Sequence, residues 1–195
     1  MKAVSKPAHL KKRQNVLDTI YSRGLLTRKI CLPIVVIGKN LDEVIEEYIQ
    51  HHFEGKCVVE GYVKPASAKI IRYSNGVIER GNNVSFEVVF ECDVCFPVEG
   101  MLIQCAVKNV VKAGVRAESA TDLPSPVVVF VAKDHHFNHQ LFNELQVGDM
   151  ITVRVIGQRF ELNDKYVSII GELVKDKAPD ATTKQPSKPR IVIEN

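Results

Sequence analysis

The segment Met150–Leu173 constrains the fold of this 195-residue chain most, because it has the pattern of two strands joined by a polar turn. Ile151 and Val153 alternate with residues on the other face, among them Arg154. Alternation with a period of two is typical of a half-buried strand. The turn at Asn163–Asp164 leads into the second strand. The pattern predicts part of a small closed barrel of the kind that binds single-stranded nucleic acid, and it does not suit an active site.

The second half of the chain contains five segments with a strand pattern. They are Met101–Val111, Val115–Ser119, Val127–Ala132, Met150–Gln158 and Tyr166–Val174. A loop at Pro124–Pro126 and a polar insertion at Asp134–Leu145 separate some of them. Five strands in roughly 75 residues, with a short helix or loop between the third and the fourth, are the arrangement of an oligonucleotide-binding barrel.

The first half of the chain is predicted to combine one helix with several strands. Asn40 begins a helix that runs through Phe53, with acidic residues in its first turn and apolar residues on one face. Before it, Leu25–Ile37 is an extended apolar run, and Pro33 within the run favours a sheet edge or a bulge. Asn75–Gly76 is a strong hairpin signal. The strands that follow the helix are predicted at Cys57–Val63, Ala68–Tyr73, Val77–Arg80 and Val84–Phe96.

Composition divides the chain into four parts. These are a basic arm at residues 1–24, a first domain at 25–96, the barrel at 97–174 and a flexible polar tail at 175–195. Residues 1–30 carry a formal charge of +7, residues 31–174 carry −6 and the remainder carries +2. The arm is either a solvated terminus with a short helix that caps the fold, or a segment that pairs with phosphates or with an acidic protein surface.

The five cysteines predict a reduced, intracellular protein. They are odd in number and lie in apolar segments, as small core residues do. Cys92 and Cys95 form one CxxC pair, whereas a zinc site needs further ligands at ribbon or finger spacing. Because a separation of three in a strand places the sulfurs on opposite faces, we expect buried or edge thiols. The basic start lacks a secretory signal, and no apolar run approaches the ~20 residues that span a bilayer.

No catalytic pattern stands out. The chain lacks a phosphate-cradling glycine loop, a Ser-His-Asp order and a paired-carboxylate site, so an enzyme is only a weak alternative. His135 and His139 would share a helix face, but nearby residues do not complete a tetrahedral metal site. His51–His52 suits the carboxyl end of a helix. We expect no cofactor and no metal.

Three segments of the chain resemble one protein family. They are GKNLDEVIEEYIQHHFEGKCVVEGYV, GVIERGNNVSFEVVFECDVCFPVEGMLIQCAVKNVVKAG and GDMITVRVIGQRFELNDKYVSIIGEL. In order and spacing, Leu25–Val174 is similar to the stalk subunit of multisubunit RNA polymerases, which is subunit seven in eukaryotic polymerase II and has a counterpart in archaea. The most specific matches are Gly38 and Leu41–Glu43 where the helix starts, Phe53–Gly55 where it ends, Phe86–Val88 before the domain junction, and Gly171.

This resemblance implies an α+β, mostly β fold. An N-terminal ribonucleoprotein-like domain would dock on the polymerase core, and a barrel of the ribosomal-protein-S-one type would contact nascent RNA near its exit path. The implied partners are the polymerase core subunits, a subunit-four or F-type stalk protein and single-stranded RNA. No catalysis is implied. The location would be the nucleus for a cellular protein, and a cytoplasmic factory or the virion for a viral one.

The chain departs from the family pattern in two places. The family's docking loop corresponds to Gly76–Asn83, which has glycines but no proline, as suits a surface rebuilt for a different polymerase. The residues expected to dock are Gly76, Val77, Ile78, Glu79, Arg80 and Gly81. Family barrels also place an aromatic after the glycine that follows the first strand, whereas Gly114 precedes Val115, so a stacking contact worth ~1 to 3 kcal/mol is lost there. A divergent copy from a large DNA virus or a distant protist would account for both departures.

Strand parity predicts where the barrel meets RNA. Lys108, Arg116 and Arg154 fall outside the core register of the first, second and fourth barrel strands, and the first strand pairs with both others. They form either a basic line across one face or three ordinary solvated charges. Phe130, Phe160 and Tyr166 are the aromatics able to stack on bases, with at least one of them in the core. The predicted RNA-binding residues are Lys108, Arg116, Arg154, Arg159, Lys165 and Tyr166.

A different class of function stays open: a free-standing barrel protein that binds single-stranded RNA or DNA, or a translation factor. The first half of the chain discriminates between the two classes. A free binder needs only the barrel, whereas residues 25–96 form a separate domain whose apolar surface must find a partner.

Overall fold

The computed structural model describes residues 20–135, 142 and 144–174. The first strand is Tyr21–Pro33 (β1), and a 3-10 turn at Ile34–Val36 leads to the helix Leu41–His52 (α1). The strands that follow are Cys57–Val58 (β2), Gly61–Val63 (β3), Lys69–Tyr73 (β4), Val77–Glu79 (β5) and Asn83–Cys95 (β6). The second half contains Leu102–Val111 (β7), Gly114–Ser119 (β8), Val127–Ala132 (β9), Met150–Arg159 (β10) and Val167–Leu173 (β11).

Strands β7–β11 form a closed barrel in the order β10-β11-β9-β8-β7, with β7 pairing back onto β10. The predicted five-stranded barrel is confirmed, and its first strand pairs with the second and the fourth as predicted. Small β-branched side chains such as Val129 and Val167 fill the interior, because a barrel of this size is only wide enough for side chains. Gly171 is required for closure, since a Cβ there would lie 2.1 Å from Cγ1 of Val153.

The N-terminal sheet is organised around β6. One edge of β6 pairs with β1 along its whole length, and its other edge pairs in turn with β3, β4 and β5. Helix α1 covers one face, where Ile45 and Ile49 pack with Ile30 and Phe90 in a single buried cluster. Pro33 ends β1, which pairs only with β6 among the described strands, so the predicted edge position is confirmed.

Two local strand predictions were wrong. Asn75–Gly76 does not form a hairpin, because β4 and β5 both pair with β6 rather than with each other. Gly76 is needed for close packing instead, since a Cβ there would lie 2.6 Å from Cγ1 of Val84. The single strand predicted at Cys57–Val63 is the hairpin β2–β3. It turns before Gly61, whose φ of +127° and approach to the Cys95 carbonyl exclude a side chain.

The structure describes only part of the predicted basic arm and of the predicted insertion, and none of the predicted tail. β1 begins at Tyr21, so the last four residues of the predicted basic arm lie in the sheet. Arg23 there pairs with Glu91 at 3.0 Å across to β6. Residues 1–19 of the arm, most of the insertion that contains His139, and the tail at 175–195 lie outside the described residues.

Glu54 holds the loop between β3 and β4 against the end of α1. Its carboxylate accepts backbone N–H groups from Ala66 at 2.7 Å, Ser67 at 3.1 Å and Ala68 at 2.8 Å. Gly55 next to it adopts a φ of +69° and donates its N–H to the Val63 carbonyl at 2.9 Å. Three charge-assisted bonds on one carboxylate give the Phe53–Gly55 segment a structural role.

The N-terminal sheet and the barrel share a buried junction. Tyr62 and Cys95 of the N-terminal sheet belong to the same buried cluster as the barrel interior. The Cys57 N–H donates to the Asp164 carbonyl at 2.7 Å, and the Asn163 N–H donates to the Cys57 carbonyl at 2.9 Å. The polar turn that joins β10 to β11 is therefore bonded to β2, and it fixes the barrel to the sheet.

The cysteines occupy two separate cores. Cys92 lies in the cluster under α1, whereas Cys95 lies in the barrel cluster, so the predicted opposite faces are confirmed. Burial raises the pKa of Cys57 and Cys92 to about 11, and that of Cys95 and Cys105 to about 12. Cys31 on β1 is exposed.

Alkylation should distinguish the exposed thiol from the buried ones. Iodoacetamide at neutral pH should modify Cys31 alone, because the thiolate is the reactive form and the other four thiols are buried with raised pKa values. Peptide mapping by mass spectrometry gives the modified positions, and the same reaction in urea should modify all five. Native modification of Cys95 as fast as Cys31 would contradict the shared core at the junction.

Removal of the Glu54 carboxylate should destabilise the fold. We expect Glu54→Ala to lower the free energy of unfolding by about 1.5 to 3 kcal/mol, because three backbone donors lose a charged acceptor. Urea unfolding followed by circular dichroism measures the change. Glu46→Ala on the exposed face of α1 is the matched control and should change stability by less than about 0.5 kcal/mol. Equal effects of the two substitutions would show that Glu54 is an ordinary surface residue.

Candidate nucleic-acid and docking surfaces

Two rows of side chains cross the outer face of the barrel over four strands. The first row is Arg116 on β8, Phe130 on β9, Ile170 on β11 and Gly157 on β10, each paired with the next. The second row is Glu118, Val128, Ser168 and Arg159, paired in the same way. Residues paired across neighbouring strands present their side chains on one face, so both rows belong to one surface.

All members of the two rows except Glu118 line a groove of about 460 Å³, which we call the barrel groove. Its floor is apolar and partly exposed, with Phe130 at 37%, Tyr166 at 42% and Ile170 at 54% exposure. Gly157 keeps it open, because no atom lies within 4 Å of the position where its Cβ would be. An aromatic and aliphatic floor of this kind suits a stacked base.

Each arginine in the barrel groove has a carboxylate partner. Nη2 of Arg116 lies 3.1 Å from Oε1 of Glu118, and Nη2 of Arg159 lies 3.1 Å from Oε1 of Glu161. The pair on β8 is the less exposed, with side-chain exposures of 49% and 25%, against 83% and 74% for the other. The positive charge available to a phosphate is therefore reduced at both positions.

The structure brings together three of the six predicted RNA-binding residues: Arg116, Arg159 and Tyr166. Lys108, Arg154 and Lys165 do not line the barrel groove. Arg154 pairs with Leu102 on β7 and Arg116 pairs with Asn109 on the same strand, so about 23 Å separates them along β7. Lys108 lies at a bulge in β7, and Arg154 lies 4.0 Å from Glu172.

The ring of Phe130 lies next to Gly114. The sequence has no aromatic residue directly after this glycine, and we therefore expected a base-stacking contact to be lost there. A Cβ on Gly114 would lie 2.8 Å from Cζ of Phe130, so this ring covers the glycine beside Arg116. Phe160 is the aromatic that packs on the barrel core, and its ring centroid lies 6.1 Å from that of Phe96. The sequence did not predict that Gly157 and Ile170 belong to this surface. Neither a glycine that leaves space nor an exposed aliphatic side chain can be recognised from its neighbours in the sequence.

The predicted docking residues Gly76–Gly81 form β5 and the turn into β6. Gly81 and Asn82 adopt φ values of +81° and +57°, which closes this turn. The Ile34 N–H donates to the Asn82 carbonyl at 2.9 Å, so the 3-10 turn after β1 lies beside it. Together they expose five aliphatic side chains, which we call the apolar tip: Ile34, Val35, Val36, Val77 and Ile78.

Neither a membrane span nor a metal centre is found in the part of the chain that the structure describes. No helix there is both long and apolar enough to cross a bilayer. No group of three or more His, Cys, Asp or Glu residues there is arranged to hold a metal ion.

Comparison with known proteins agrees with the resemblance seen in the sequence, although no protein-family model matches the chain. A protein of Acanthamoeba polyphaga mimivirus that carries the name of a DNA-directed RNA polymerase subunit is 25% identical, over 91% of this chain and 94% of its own. DNA-directed RNA polymerase II subunit 7 of Arabidopsis thaliana is 31% identical over 127 residues, or 65% of this chain and 68% of its own. The chain therefore belongs to the family of DNA-directed RNA polymerase II subunit 7, as a divergent member.

Proposed function

We propose that the protein is a non-catalytic stalk subunit of a DNA-directed RNA polymerase. Its N-terminal domain, ribonucleoprotein-like in this proposal, docks on the core enzyme, and its barrel, of the ribosomal-protein-S-one type, contacts nascent RNA. The apolar tip is the observation that carries this proposal, since a free-standing RNA binder has no use for it. Both relatives are named as RNA polymerase subunits, which supports membership of such a complex.

Exposure of the apolar tip supports docking there. Val35 is 87% exposed, Ile78 is 76% exposed and Val77 is 61% exposed, and all three lie at the end of the sheet where β6 begins. Apolar side chains exposed together at one end of a fold are typical of a site that another protein covers. Removal of their apolar surface from water favours a complex by ~25 cal/mol per Å² before the costs of association are subtracted. The core subunits of the polymerase are the proposed partner.

The barrel groove supports contact with single-stranded RNA. It combines two aromatic side chains, Phe130 and Tyr166, with two arginines at separate corners. Any base can stack on an aromatic side chain, and arginines pair with backbone phosphates. Both contacts are independent of sequence, as is needed for a subunit that contacts a transcript of changing sequence. Because the junction fixes the barrel to the docking domain, RNA would meet the groove at a constant place relative to the core enzyme.

A second protein, of the subunit-four or F type, is the proposed partner at the junction. Apolar side chains from both domains are exposed there, with Val59 two residues from the Cys57 bond to the barrel turn and Leu162 next to that turn. Phe96 at the end of the sheet is 44% exposed as well. A partner that spans both domains would cover this surface.

Polar substitution in the apolar tip should weaken association with the polymerase. We expect Val35→Ser with Ile78→Ser to reduce recovery of polymerase core subunits at least tenfold, equivalent to about 1.4 kcal/mol, because two central apolar contacts are lost. Affinity purification of the tagged full-length chain with quantitative mass spectrometry measures recovery. Leu123→Ser with Val147→Ser, two equally exposed aliphatics outside the tip, is the control.

Two outcomes would count against the docking proposal. Recovery of the unsubstituted chain without polymerase subunits would favour the free-standing binder or translation factor. Equal loss in the tip variant and the control variant would show that surface hydrophobicity in general, and not the tip, holds the complex.

Filling the barrel groove should weaken RNA binding. We expect Gly157→Leu to reduce affinity for a labelled 12-nucleotide oligouridylate about tenfold, because the new side chain occupies space that a base would use. Fluorescence anisotropy with the full-length protein measures the affinity. Gly38→Leu is the control, since the space around Gly38 is also open but lies in the first domain. Unchanged binding by Gly157→Leu would move the RNA contact away from the groove.

A further inference from the structure

We propose that Glu118 and Glu161 limit the affinity of the barrel groove for RNA, by competing with phosphates for Arg116 and Arg159. This inference rests on the proposed RNA contact. The ligand is a single-stranded polyanion, and the two carboxylates act as built-in competitors that keep its attachment weak and reversible.

The two arginines are the only charged side chains among the described residues that line the barrel groove. Arg116 lies in the first row on β8, and Arg159 lies in the second row on β10, three strands away. Three interstrand spacings put their Cα atoms at most about 15 Å apart, with the apolar floor between them. A strand of RNA that laid a base on this floor would bring phosphates to both corners.

Each arginine is already engaged by a carboxylate two residues away in the chain, at 3.1 Å. A guanidinium satisfied in this way offers fewer donors to a phosphate, so an incoming phosphate must displace the carboxylate or share the arginine with it. The displaced carboxylate still lies within the Debye length of about 10 Å at 0.1 M salt, so it also repels the phosphate.

The two carboxylates should not lower the affinity for RNA equally. The Glu118 side chain is 25% exposed and the Glu161 side chain is 74% exposed, so solvent screens the second pair more. Loss of the Glu118 charge should therefore raise affinity more than loss of the Glu161 charge. Weak binding lets the RNA dissociate quickly, which suits a subunit that contacts a moving transcript.

The test compares the full-length protein with Glu118→Gln, Glu161→Gln and the double variant, using the 12-nucleotide oligouridylate and fluorescence anisotropy at several salt concentrations. We expect each single variant to bind about two- to fivefold more tightly, with Glu118→Gln the stronger. The double variant should also steepen the log-log salt slope by up to about 1.4, since two arginines become available to phosphates. Glu46→Gln, which removes an exposed carboxylate from α1 outside the barrel, is the control for each single substitution and should change affinity less than twofold.

The outcomes separate this inference from the proposed RNA contact. If Arg116→Gln with Arg159→Gln loses binding while the glutamate variants bind as the unsubstituted protein does, the competition is overturned and the RNA contact stands. An equal gain with Glu46→Gln also overturns it, because net charge alone would then explain the effect. No binding by any variant overturns the RNA contact and the competition together. If Glu118→Gln lowers the midpoint of thermal unfolding, its affinity for RNA does not decide the test. Glu161→Gln then decides it, because this side chain is exposed, and it must bind RNA more tightly than the unsubstituted protein.

Discussion

The structure depends on the attachment of the barrel turn to the N-terminal sheet. Two backbone hydrogen bonds join Cys57 to the turn Asn163–Asp164, and Tyr62 is buried between the sheet and the barrel interior. Lys64, which follows β3, lies 3.8 Å from Asp122 in the loop between β8 and β9. Burial raises the pKa of the Tyr21 phenol, with a further contribution from Asp122. Polar and apolar contacts therefore both join the barrel to the N-terminal sheet.

The long strand β6 connects the apolar tip to the junction. It runs from Asn83 beside the apolar tip to Cys95 at the junction, a span of about 40 Å. Pairing with β1 along its full length stiffens it on one edge, and β3, β4 and β5 cover the other. In the proposed function this strand transmits the position of the docked tip to the barrel, so the groove faces RNA at a fixed distance from the core enzyme.

Local periodicity was enough to predict most of the elements. The alternation at Ile151–Val155 located a barrel strand, and the capped amphipathic segment located α1 within one residue at its end. The sequence could not show that β4 and β5 share β6, because Gly76 acts through distant residues such as Val84 rather than through a turn. The barrel groove was only partly predicted for the same reason, since the row from Arg116 to Gly157 exists only through pairing between strands far apart in the chain.

The central claim is that the barrel groove faces nascent RNA while the protein is part of the polymerase. A photo-crosslinking amino acid at Ile170, in a transcribing complex that contains this chain, tests it most directly. We predict crosslinks to labelled RNA once the transcript is long enough to leave the core enzyme, and few from the same amino acid at Glu46 on α1, outside the barrel. Crosslinks from Ile170 to protein alone at every transcript length, or equal RNA crosslinks from both positions, would contradict the account.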